Sequence, residues 1–146
     1  MDHRMDQREN KNMGNRKDIK IHKEIPRSIG QKNVECWRKA RDLSVKIHKL
    51  VSNGHLNLDK ELKHALKNST ISIMSHIAMG NEQALHQRGY LKHLGYAQLS
   101  LVTFRSYLVI IRELGHIGEG DFIDFYDQSI RIADFIDHLI NEEKKV

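Results

Sequence analysis

Apolar and polar positions alternate along this chain with the three-to-four-residue period of helices, and four segments carry the pattern. In the first, about Asn33 to Ser52, Trp37, Ala40, Leu43, Ser44, Ile47, Leu50 and Val51 share one arc, with Arg38, Lys39, Lys46 and Lys49 opposite. Asn33 is the expected N-cap, Glu35 stands in the first turn, and Asn53-Gly54 ends the helix. After a short connection at His55–Leu58, the second helix starts near Asp59, places Leu62, Ala65, Leu66, Ser69, Ile73, Ile77 and Ala78 on one side, and closes at Gly80-Asn81. The third runs from about Tyr90 to Leu114 and the fourth from about Asp121. In the fourth, Phe122, Phe125, Tyr126, Ile132, Ala133, Ile136, Leu139 and Ile140 lie opposite Asp124, Asp127, Asp134 and Asp137. Four helices, short links and no strand-type alternation predict an all-α, antiparallel up-down-up-down four-helix bundle.

The third segment departs from the others. Fifteen of the 25 residues from Tyr90 to Leu114 are apolar, and only Lys92, Arg105, Arg112 and Glu113 are charged. Such a helix has no wide polar arc and must be covered on more than one side. One side faces the chain's own helices; the other calls for a second copy or a partner. Tyr96, Leu99, Val102 and Tyr107, with Asp127 and Asp134 of the acidic fourth helix, are the expected subunit interface. Gly95 is expected to mark a tight helix crossing.

Charge adds a polarity to this plan. Net charge runs +4 over residues 1–32, +4 over 33–68, +3 over 69–112 and −6 over 113–146, for a total of +5. Residues 1–32 mix both signs with Asn and Gln, contain Pro26 and Gly30, and predict a flexible basic tail ahead of a bundle over 33–146. The basic surface suggests a polyanion, RNA or DNA. Arg38, Lys39, Lys46, Lys49, Lys60, Lys63 and Lys67 are the expected phosphate contacts, with Lys92, Arg105 and Arg112 lining an end or channel of an assembled ring. A charged stripe is also what any solvated helix face shows, so an interaction module with no nucleic-acid role remains the alternative.

The chemistry-bearing residues argue against an enzyme. Cys36 is the single cysteine, which fits a reducing, cytoplasmic setting without disulfides, and the N-terminus has no apolar signal core. Ten histidines form no HxxxH or HExxH, so no metal and no cofactor is expected. Arg88 with His93 and Arg131 with His138 match the bare spacing of metal-independent helical ribonucleases, but Gly89 and Ile132 stand where a polar residue follows the arginine. Among the aromatic residues, Trp37, Tyr90, Tyr96 and Tyr107 are expected to fill core or subunit contacts rather than stack on bases.

Three motifs carry a resemblance. Trp37-Arg38-Lys39-Ala40-Arg41-Asp42-Leu43 is similar to the opening WxKAxxL of a family of small bacterial four-helix-bundle proteins. Ser72-Ile73-Met74-Ser75-His76-Ile77-Ala78-Met79-Gly80 resembles its SIPSNIAEG, and Glu113-Leu114-Gly115 its ELG. The family takes in proteins encoded in intervening sequences of large-subunit ribosomal RNA genes and the accessory variability determinant of diversity-generating retroelements. The resemblance spans residues 33 to 141. It implies a homopentameric ring without a catalytic centre and, in the retroelement branch, binding of nucleic acid and a reverse transcriptase. Met74, His76 and Met79 depart from the motif's Pro, Asn and Glu. Thr103 and Arg105 stand where acids are common, which makes the surface more basic.

Overall fold

The computed structural model describes residues 30–53 and 58–145. The expected tail, up to residue 29, and most of the first connection lie outside the described residues. Among the described residues four helices form: α1 Gly30–Ser52, α2 Lys60–Glu82, α3 Gln87–Glu113 and α4 Glu119–Lys144. Each packs on its neighbours in sequence, and α4 closes on α1.

The helix directions follow from the cross-contacts. Lys32, early in α1, meets Glu142, late in α4, at 2.9 Å. Ser72 and Ser100 hydroxyls bond at 2.7 Å, and four residues further along α2 His76 meets His93, seven residues back along α3. Gln98 donates to Asp137 and Gln87 to the Glu143 carbonyl, so α3 and α4 also run oppositely. The bundle is up-down-up-down, as the periodicity predicts.

One apolar cluster fills the centre. From α1 it takes Cys36, Ala40, Leu43 and Ile47; from α2, Leu66, Ile73 and Ile77; from α3, Leu94, Leu101, Phe104, Leu108 and Ile111; from α4, Phe122, Phe125, Ile132, Ile136 and Leu139. These sit three, four or seven residues apart in each helix, so each helix offers one stripe. Burial pushes the Cys36 thiol up to about 12, against a smaller opposing effect of Lys39, which keeps it protonated and unreactive.

Helix ends follow local chemistry. Asp59 caps α2: its Oδ1 accepts the Leu62 N–H at 2.7 Å, satisfying an N–H with no intrahelical partner. Asp59→Ala is expected to cost about 1 kcal/mol, read as a shift in urea midpoint with unchanged slope. At the end of α3, Gly115 takes φ +74°. Its N–H bonds to the Arg112 carbonyl and the His116 N–H to that of Ile111, both at 2.9 Å, the paired closure that glycine permits.

Three local expectations need correction. Helix α1 begins at Gly30, and Asn33 is no cap: it is fully buried inside the helix, where its Oδ1 accepts the Tyr90 hydroxyl at 2.9 Å. Helix α2 does not close at Gly80-Asn81 but continues to Glu82, with both residues buried. Gly95 marks no crossing, because a Cβ there would meet nothing within 4 Å. The tight position is Gly89, where a Cβ would stand 2.7 Å from Gln83 Oε1.

Candidate nucleic-acid interface and assembly faces

The expected phosphate contacts lie on α1 and α2, but packing divides them. Arg38, Lys39, Lys46, Lys49 and Lys60 are exposed; Lys63 and Lys67 are half-buried. Lys39 and Lys46 turn towards α4, where with Asp42, Asp124, Gln128, Arg131 and Ile132 they line a cleft of about 240 Å³. Gln128 holds Asp124 at 3.0 Å. Arg131 is thus a third cation beside Lys39 and Lys46. Sequence reasoning left it out of the phosphate contacts; its spacing of three from Gln128 and seven from Asp124 was the available signal.

On α2, Lys63 and Lys67 turn towards α1. A buried hydrogen bond at 3.0 Å between Ser44 and Thr70 sets the register there. Thr70 stands seven residues from Lys63 and three from Lys67, whereas Lys49 stands three from Lys46 and seven from Asp42, on the stripe of α1 that lines the cleft with α4. Asp42, inside the cleft beside Lys39 and Lys46, accepts from Arg41, which also sits 5.5 Å above the Trp37 ring. Among the described residues none of the seven expected phosphate contacts takes part in an ion pair within 4 Å. Cations that no neighbouring carboxylate engages among the described residues are available to a polyanion.

The three remaining basic residues are placed elsewhere. Lys92 is exposed on α3, its Nζ 5.8 Å from the Tyr96 ring. Arg105 lies at the α3–α4 seam, 6.0 Å over Tyr126, with one buried guanidinium nitrogen lacking a hydrogen-bond partner. Arg112 is engaged by Glu113 at 3.2 Å, Glu119 at 3.9 Å and the Phe122 ring at 4.1 Å. The structure does not bring these three to the α1–α2 surface. At the other end of the bundle Lys32, reinforced by His138 at 3.0 Å, holds the Glu142 carboxyl below the usual carboxylate range.

The doubly apolar character of α3 is visible in its exposure. Tyr90, Leu94, Ala97, Leu101, Phe104, Leu108 and Ile111 turn inward, while Leu99 remains 64% exposed, Leu114 60%, Val102 53% and Ile110 45%. The hydroxyls of Ser100, Thr103 and Ser106 bond back to carbonyls four residues earlier, at 2.9–3.1 Å. The outer surface is therefore less polar than its residue letters suggest. Although α3 is long and apolar enough to cross a membrane by composition alone, its inner stripe is the core of the bundle.

The expected interface residues fall on two faces. Tyr96, Leu99 and Tyr107 line a groove of about 630 Å³ between α2 and α3, opposite Ala65, Asn68 and Ser72, with Ser69 and Ser100 beside them. Val102 lies towards α4, as do exposed Asp127 and Asp134, which share a stripe with Ile123 and Ile130. Sequence reasoning missed Ile110, Ile123 and Ile130 as exposed apolar positions; their spacing of three, four or seven from Tyr107, Asp127 and each other was the signal.

The residues of the ribonuclease-type pairs have other neighbours. His93 faces His76, and His138 engages Glu142. Arg131 belongs to the cleft with Lys39 and Lys46. Among the described residues no three His, Cys, Asp or Glu side chains converge as metal ligands.

Four antiparallel helices, a basic α1–α2 side and an acidic α4 place this chain among small helical-bundle proteins with a charge-divided surface. It belongs to the 23S rRNA-intervening sequence protein family, whose model matches residues 32–138. Its fold is similar to a crystal structure of a protein of unknown function from the S23 ribosomal protein family of Bacteroides thetaiotaomicron VPI-5482. The TM-score is 0.68 and the identity 18%, over 76% of this chain and 99% of that one. No curated protein matches the chain.

Proposed function

We propose that this protein is a non-enzymatic, self-assembling bundle that binds RNA through the basic surfaces of α1 and α2, extended by Arg131 of α4. The observation that carries this reading is the set of seven exposed or half-exposed cations that, among the described residues, form no ion pair. The family's description, which names an intervening sequence of 23S rRNA, supports RNA as the polyanion.

Assembly follows from the two apolar faces. A head-to-tail contact pairs two different faces of one protomer and closes into a ring when the rotation allows. The α2–α3 groove and the α3–α4 stripe supply such a pair, which supports the homopentamer implied by the motif resemblance. The same resemblance supports a finer role as the accessory subunit of a cytoplasmic reverse-transcriptase ribonucleoprotein.

The test is Lys46→Glu with Lys49→Glu, two cations one turn apart on α1. Affinity for a fragment of large-subunit ribosomal RNA, followed by fluorescence anisotropy across a salt series, is expected to fall about tenfold or more, with a shallower salt slope. Equal affinity and equal slope in the folded variant would remove the α1 stripe and leave the protein-interaction module as the better reading.

A further inference from the structure

His76 of α2 and His93 of α3 are 17 residues apart in sequence, yet their Nδ1 atoms lie 3.4 Å apart with the rings stacked at 25°. That separation is long for a hydrogen bond between ring nitrogens. It is close to the spacing of about 3.3–3.4 Å that two nitrogens adopt around one tetrahedral metal at metal–nitrogen distances of about 2.0–2.1 Å. Among the described residues no other hydrogen bond engages either ring. Both side chains are half-buried, and His76 opens onto the groove between α2 and α3.

We propose that His76 and His93 form a two-imidazole site for a divalent first-row transition metal of the kind that favours nitrogen ligands, with zinc as the representative ion. Since no third His, Cys, Asp or Glu converges there among the described residues, water completes the coordination. Zinc, copper and nickel accept such imidazole ligation, whereas calcium and magnesium require oxygen. Partial burial, and then the neighbouring His93, hold His76 below the usual imidazole range. The neutral ring, the form that ligates, therefore persists to lower pH. The nearby Tyr96 ring stands 5.3 Å from His76 and carries Lys92 at 5.8 Å. A bound ion would tie α2 to α3 beside the groove and add to stability by mass action. The site does not depend on the RNA reading.

Calorimetric titration of the full chain with Zn²⁺ at neutral pH, paired with thermal melts, is the test. One equivalent per chain and a raised melting temperature are expected. His76→Ala and His93→Ala are each expected to weaken that binding about tenfold or more, while His64→Ala, on the same groove, leaves it unchanged. Circular dichroism reports folding, and His76→Asn replaces His76→Ala if the alanine variant unfolds. Binding should weaken on acidification, because protons and the metal compete for the same ring nitrogens. Undiminished Zn²⁺ binding in the double variant would place the ion on other histidines and overturn the proposal. Absence of binding at about tenfold excess Zn²⁺ would overturn it too, leaving a weakly hydrogen-bonded imidazole pair.

Discussion

Phe104→Ala is expected to lower the unfolding free energy by about 3–5 kcal/mol, the largest effect of any single truncation in α3. Phe104 is fully buried at mid-helix between Leu101 and Leu108, both also fully buried. Removing its ring forfeits apolar transfer energy and leaves a void that the surrounding branched side chains fill only in part. Small domains are stable by about 5–15 kcal/mol, so the variant keeps a much reduced margin. Urea unfolding followed by circular dichroism measures this as a lower midpoint at similar slope. Val102→Ala, on the same helix but 53% exposed, serves as the control and should stay within about 0.5 kcal/mol in a monomeric state. Equal losses at the two positions would mean that α3 does not bury the face described.

Leu99→Asp is expected to do the opposite: leave the protomer folded and dismantle the assembly. Leu99 is 64% exposed, so a carboxylate there meets water in the lone protomer at little cost. In an assembled ring the same carboxylate would be buried against an apolar neighbour, a cost of several kcal/mol unless it is paired. Light scattering after size exclusion should read a multiple of 17.1 kDa for the wild type and 17.1 kDa for Leu99→Asp, with superimposable circular dichroism. If the wild type already runs at 17.1 kDa, or if the variant keeps the wild-type mass, the groove face is not the seam between copies. Asp134→Lys, on the α3–α4 face, separates the two surfaces proposed to meet. Weakened assembly in both variants would support a head-to-tail contact.

These two predictions differ because α3 carries two apolar stripes of opposite fate. Both are present in the letters between Tyr90 and Leu114, and their excess over a single helix face implies a second cover. Which stripe is the core is a matter of neighbours. The inward set is identified only once α1, α2 and α4 close around it. Local ends were less legible for a similar reason. Asp59 caps α2 through atoms three residues away, so sequence suffices. Asn33 has the right chemistry for a cap, but the buried hydroxyl of Tyr90, 57 residues further along, takes its side chain into the interior.

Helical period, helix number, the antiparallel order imposed by short links, and the basic-to-acidic polarity of the chain were determined by the sequence alone. They depend on residues within a few turns of each other or on simple summation. The tertiary structure decided how that inventory is divided. It set Lys39 and Lys46 with Asp42 in a cleft against α4, added Arg131 to them, and set Arg112 apart against Glu113, Glu119 and Phe122. It also set His76 facing His93 across two helices, which no spacing within one helix can reveal. Periodicity specifies the face on which a side chain lies. The rotation and register of the packed helices determine what that face meets.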